Sequence, residues 1–86
     1  MVVRFLGRVQ GVGFRATVLQ HANGLDVHGF VRNEIDGSVL LDVDGERNVL
    51  KELLCRIEQQ PAGRIDACDV SWHQPSSRDG GLAIKF

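Results

Sequence analysis

Gly7-Arg8-Val9-Gln10-Gly11-Val12-Gly13-Phe14-Arg15 is the stretch on which the reading of this chain turns. Upstream and into it, Val3, Phe5, Gly7 and Val9 alternate with Arg4, Leu6, Arg8 and Gln10. A period of two means a strand with one face in the core. From Phe14 the period changes: Phe14, Val18, Ala22 and Leu25 recur at helical spacing, with Leu19 beside them. The spaced glycines therefore mark a strand-to-helix turn. Asn23-Gly24 suits a helix C-terminal cap, so the first helix is expected to end there.

Working outward, Val27 to Asn33 predicts a second strand. Asp36-Gly37 is a hairpin turn signal, followed by a third strand from Ser38 to Asp44 that Gly45 breaks. Glu46 to Gln59 carries Val49, Leu50, Leu53, Leu54 and Ile57 as an apolar stripe at helical spacing. Glu46 is read into its first turn, and Pro61 and Gly63 stop it. Ile65 to His73 alternates as a fourth strand, Pro75 to Gly81 reads as a loop, and Leu82 to Phe86 as a short last strand. The order β-α-β-β-α-β plus a small strand predicts an α+β, ferredoxin-like sandwich: a mostly antiparallel sheet with both helices on one face. Right-handed crossovers then set the first and third strands side by side at the centre.

Eighty-six residues allow one compact domain, expected to span 1–86. A net charge of −1 argues against broad nucleic-acid binding, which needs a surplus of basic side chains, but leaves room for one local basic pocket. No apolar run approaches the ~20 residues needed to cross a bilayer, and Met1-Val2-Val3-Arg4-Phe5 lacks the features of a secretory signal. The expectation is a cytoplasmic protein with neither membrane nor nucleic acid as partner. Cys55 and Cys68 lie in apolar-patterned segments and read as two small buried hydrophobes. His21, His28 and His73 are scattered, and no spacing resembles a metal site.

Glycine lets backbone N–H groups turn inward, a helix N-terminus adds a partial charge of roughly half a proton, and arginine adds a planar fork of donors. Together, around Gly11, Gly13 and Arg15, these describe a pocket for a phosphate-sized anion. A tight turn whose glycines only satisfy backbone angles accounts for the loop equally well. The loop is not a nucleotide P-loop, since no Gly-Lys-Ser or Gly-Lys-Thr follows. Arg15 opposes the helix dipole by roughly 0.3–1 kcal/mol, a conflict that a bound dianion reverses. Asn33 has two readings: a turn residue that tolerates left-handed backbone, or an amide aimed at a water molecule.

At this point the residues match a family. The chain resembles the acylphosphatases in Gly7-Arg8-Val9-Gln10-Gly11-Val12-Gly13-Phe14-Arg15, in Ala22, and in Gly29-Phe30-Val31-Arg32-Asn33 with Asp36-Gly37-Ser38-Val39. The resemblance spans essentially the whole chain. It departs from the family pattern at Asp26, where glycine is frequent, and at the single Pro61, where two prolines are common. It implies a metal-free, cofactor-free hydrolase of the carboxyl–phosphate bond of acyl phosphates, a small-molecule substrate class, with inorganic phosphate as product. Carried over residue by residue, Arg15 binds the phosphoryl group and Asn33 positions the attacking water. The backbone N–H groups of Gln10, Gly11, Val12, Gly13, Phe14 and Arg15 form the cradle.

Three alternatives stand beside this reading. One is a relative that binds an anion without hydrolysing it. Another is the acylphosphatase-like module of hydrogenase-maturation carbamoyltransferases, whose loop is similar. Those proteins continue into cysteine-rich zinc modules, so a free-standing, monomeric domain is expected here. The third is an RNA-binding ferredoxin-like domain, which needs paired exposed aromatics. Phe5, Phe14, Phe30, Phe86 and Trp72 are the aromatics, and most are expected in the core.

Overall fold

The computed structural model describes residues 1–74 and 80–86. The element order is β1 (Val2–Arg8), α1 (Phe14–His21), β2 (Val27–Asn33), β3 (Val39–Gly45), α2 (Arg47–Gln59), β4 (Arg64–Ser71) and β5 (Leu82–Lys85). The five strands form one sheet in the order β4-β1-β3-β2-β5. β1 and β3 lie side by side and antiparallel at the centre, as the crossover rule requires. The hairpin pair β2–β3 and the pair β1–β4 are also antiparallel, while β5 adds to β2 in parallel.

The period-two pattern sorts the sheet's faces. Val3 and Phe5 on β1, Val31 on β2, and Val39, Leu41 and Val43 on β3 are all fully buried. Their registers make them neighbours, with Val3 opposite Leu41, Phe5 opposite Val39, and Val31 opposite Leu41. Phe14, Val18 and Ala22 of the α1 region and Leu50, Leu53 and Ile57 of α2 close the same cluster. Both helices therefore cover one face of the sheet. No helix among the described residues is long and apolar enough to cross a membrane.

Several boundaries and placements differ from those expected. α1 ends at His21 rather than near Asn23-Gly24, because Asn23 N–H turns back onto the Gln20 carbonyl and Leu25 N–H onto that of Ala22. β3 runs from Val39 to Gly45, so Gly45 is its last residue rather than a break. Glu46 is not in the first turn of α2. It precedes it with extended backbone, and its carbonyl accepts the N–H of Leu50 at 2.9 Å.

The fourth strand does not keep one alternation. Leu6 faces Ala67 and Gly7 faces Ile65, which leaves Asp66 as an extra, bulged residue. Parity changes there, and Ile65 and Cys68 both pack against the core. Cys55 is exposed on α2, against the expectation of burial, and both cysteines are free. Of the aromatics only Phe5 and Phe14 are buried, with ring centroids 5.1 Å apart. Trp72 and Phe86 are exposed, and Trp72 carries the Arg47 guanidinium over its ring at 4.2 Å. The loop expected over Pro75 to Gly81 falls, from Pro75 to Asp79, outside the described residues.

Leu53 joins α2 to the sheet with no exposed surface. Leu53→Ala is expected to destabilise the fold by about 2–5 kcal/mol, through lost burial and the cavity left behind. Urea unfolding followed by circular dichroism measures it.

Candidate functional site

The sequence between β1 and α1 has to turn a strand into a helix within five residues. Gly13 does this at φ 77° and ψ 21° and serves as the α1 N-cap. Left-handed backbone costs an ordinary residue about 1–2 kcal/mol. A Cβ on Gly13 would meet nothing within 4 Å, so the constraint there is backbone angle and not space. Gly63, in the α2–β4 turn, is the opposite case. A Cβ there would run into the Arg8 carbonyl oxygen and come within 2.7 Å of Val12 Cγ2. The turn after α2 is thus pressed against the loop.

No side chain caps α1, and its first turn holds no acidic residue. The first N–H groups of a helix have no acceptor within it. The bond of Thr17 N–H to the Gly13 carbonyl, at 3.1 Å, opens the helical ladder. Among the described residues, no loop, turn or cap bond draws on the amides of Gln10 through Ala16. These donors sit at the positive end of the α1 dipole.

Arg15 occupies the first turn of α1. One of its guanidinium nitrogens donates to the Lys85 carbonyl at 3.3 Å, and the group lies over the Phe86 ring, 5.0 Å from its centroid. Asn33 ends β2, opposite Val39 of β3, with its side chain exposed. Gly11, Gly13, Phe14, Arg15 and Asn33 line one cavity of about 170 Å³. Val9 and Ala16 extend its wall, and Ile84 of β5 and Phe86, just beyond that strand, complete it. The loop glycines, the arginine and the asparagine singled out in the sequence are therefore brought together around one space. Gln10 and Val12 are not among the cavity's lining residues. Val12 packs towards the core instead.

Gln10 faces the β2–β3 hairpin. Its side-chain amide nitrogen donates to the carbonyls of Glu34, at 2.7 Å, and Ser38, at 2.8 Å. The hairpin is tightly bonded in its own right. Glu34 N–H donates to the Ser38 carbonyl and Gly37 N–H to that of Glu34. The Asp36 carboxylate accepts from Ser38 N–H at 2.9 Å and from the Ser38 hydroxyl at 2.6 Å, and Arg4 donates to the same hydroxyl oxygen at 2.9 Å. These bonds from Ser38, with the Arg4 charge nearby, hold the Asp36 carboxyl below its ordinary value of 3.8.

Three contributors escaped the sequence reading. Ile84 and Phe86 reach the cavity because β5 pairs in parallel with β2, Ile84 opposite Val31. No local pattern encodes that pairing. The Gln10 side chain was legible only as part of a strand alternation.

A family model described as Acylphosphatase matches residues 1–84. An acylphosphatase of Salinibacter ruber is 40% identical over 83 residues, covering 95% of this chain and 87% of that protein. One from Roseiflexus is 38% identical over 79 residues, covering 91% and 85%. Among solved structures, acylphosphatase from Bacillus subtilis superposes with a TM-score of 0.89 at 27% identity, covering 99% of this chain and 96% of that one. The T. kodakarensis HypF structure superposes with a TM-score of 0.82 at 26% identity, but the match covers only 12% of that chain.

Asp36 supplies a pH test of the hairpin that frames the site. A carboxyl whose folded pKa lies below its unfolded value stabilises fully above the unfolded value, and that contribution fades as pH falls through the folded one. Asp36→Asn is therefore expected to lower the melting temperature at neutral pH, and the deficit to shrink below pH 3.8. Thermal unfolding of both proteins across acid pH measures this.

Proposed function

Because the chain belongs to the acylphosphatase family, whose reaction is hydrolysis of the carboxyl–phosphate bond of acyl phosphates, we propose that Arg15 and the backbone N–H groups of residues 10–15 bind the phosphoryl group and that Asn33 orients the attacking water. The observation that carries this reading is the common cavity of Gly11, Gly13, Arg15 and Asn33 at the N-terminus of α1. An acyl phosphate carries close to two negative charges at its phosphoryl end. Unspent amides, the helix dipole and a guanidinium all favour that charge.

Phosphoryl transfer asks the protein mainly for placement and charge stabilisation. Asn33, at the end of β2, holds a water in line with the leaving carboxylate; its amide can donate and accept but does not take up a proton. The water oxygen bonds to phosphorus, the bond from phosphorus to the acyl oxygen breaks, and the carboxylate leaves with that electron pair. The water's proton passes to a phosphate oxygen. A carboxylate is a good leaving group, so the reaction proceeds without a strong acid catalyst. Arg15 and the amides tighten on the non-bridging oxygens as charge shifts in the transition state.

The same reading makes 1–86 a single working domain, acting as a cytoplasmic monomer without nucleic acid or membrane as partner. The net charge of −1 supports the absence of nucleic acid as a partner. The competing reading, an anion-binding module of a much larger protein, has its counterpart in the HypF match. Greater identity to acylphosphatases over most of both chains favours the hydrolase.

Arg15→Ala is expected to abolish detectable acyl-phosphate hydrolysis together with inhibition by inorganic phosphate. Arg15→Lys restores little, because a point charge does not reproduce the bidentate fork. Asn33→Ala is expected to lower kcat about 10²-fold or more with phosphate inhibition nearly intact. Steady-state kinetics on a simple acyl phosphate, with and without phosphate, decide it. Equal loss of phosphate inhibition in Asn33→Ala and Arg15→Ala would sink the water-orienting role.

A further inference from the structure

The two halves of the proposed site stand on different elements: the loop and α1 on one side, the end of β2 on the other. One side chain spans them directly. Gln10, in the loop, gives both hydrogens of its amide to the hairpin, one to the carbonyl of Glu34 and one to that of Ser38. Glu34 is the residue after Asn33, and the Ser38 carbonyl also accepts the Glu34 N–H at 2.9 Å. We propose that Gln10 is a positioning residue for the hydrolysis, fixing the loop amides and Asn33 relative to each other through these two bonds. This rests on the functional reading above and adds to it a side chain that does not line the cavity.

The chemistry selects this residue type. A primary amide is a neutral group with two hydrogens on one nitrogen, which matches two nearby carbonyl acceptors. The bonds, at 2.7 and 2.8 Å, are short for N–H···O and partly buried. Each end of the clasp is held elsewhere. The hairpin is fixed by Asp36, Ser38 and Arg4, and the loop by the Gly63 turn pressed against Arg8 and Val12. The clasp therefore sets a distance between two fixed bodies. A displacement of about 1 Å between reacting groups can cost ~10²-fold in rate.

Gln10→Glu tests this. The ionised side chain is nearly isosteric, donates nothing and faces two carbonyl oxygens. The two carbonyls raise the introduced group's pKa, as do the Glu34 and Asp36 carboxylates of the hairpin, while Arg32, paired with Glu34 at 3.2 Å, and Arg4, paired with Asp36 at 3.3 Å, oppose them. Once protonated, the group regains one donor. The expected result at neutral pH is a fall in kcat of about 10²-fold and a weakening of phosphate inhibition of about 10-fold. The variant-to-wild-type ratio should climb as pH falls towards 5, because the protonated acid restores one bond. Dividing by the wild-type profile removes the substrate's own titration. Gln10→Ala, which keeps the carbonyls free of repulsion, should show a smaller loss with no pH dependence in the ratio, and it serves if Gln10→Glu fails to fold.

Wild-type kcat and phosphate inhibition in Gln10→Glu, or a reduced ratio that stays flat with pH, would overturn the proposal, as would an unchanged kcat in Gln10→Ala. Arg15→Ala, measured in parallel, separates the two claims. If it abolishes phosphate inhibition while the Gln10 variants are silent, only the clasp falls. If it leaves inhibition intact, the anion site itself is wrong.

Discussion

Two positive features are held together where the chain turns from β1 into α1: the amino end of a helix and a guanidinium in its first turn. Each raises the energy of the other, by roughly 0.3–1 kcal/mol. A fold free to choose would place an acidic side chain or an N-cap hydroxyl here, yet Gly13 caps α1 without a side chain and the first turn carries no acid. On the proposed reading, a doubly negative oxyanion relieves the conflict. The other parts of the site can be read as ways of keeping that conflict in place. The left-handed glycine aims the amides, the Gly63 turn presses on the loop, and the last strand holds the arginine.

That last point alters how Arg15 is understood. A free arginine side chain loses considerable rotamer entropy when it grips a ligand. Here the Lys85 carbonyl and the Phe86 ring already hold the guanidinium beside the cavity. If Arg15 binds the phosphoryl group as proposed, part of the ordering cost is met before substrate arrives, which is the sense in which preorganisation improves catalysis. The arrangement also explains why a strand of only four residues matters to the site. Without β5 paired to β2, Arg15 would keep its charge and lose its direction.

The fold and the site were legible in the sequence to different depths. The strand–glycine–helix switch and the Asp36-Gly37 hairpin are local signals, and they sufficed for the element order, the central pair β1–β3 and the placing of Arg15 and Asn33 around one space. What stayed hidden depends on partners distant in the chain. The bulge at Asp66 exists only in the register of β4 against β1, so the single alternation expected of that strand does not run through it. Cys55 lies within an apolar stripe but outside its arc, and a stripe read without angular bookkeeping counted it as buried. Most of the aromatics were expected in the core, yet Trp72 and Phe86 are exposed, and cations over their rings can make that exposure acceptable. The parallel docking of β5 has no local signature at all.

A domain this small has a modest core. It meets the demands of the reaction by assigning each requirement to a feature the fold already needs. The helix N-terminus exists because α1 must start. The glycines exist because the strand must become that helix. The hairpin exists because β2 must return as β3, and Asn33 stands at its entrance. On the proposed reading, only Arg15, Asn33 and the Gln10 amide need be chosen for chemistry, and the leaving group contributes the rest. A reaction with a poorer leaving group would require a positioned acid or a metal, and so a larger framework to hold it. The match between an easy bond to break and a minimal scaffold is therefore a physical one: charge placed by the backbone is enough when little else has to move.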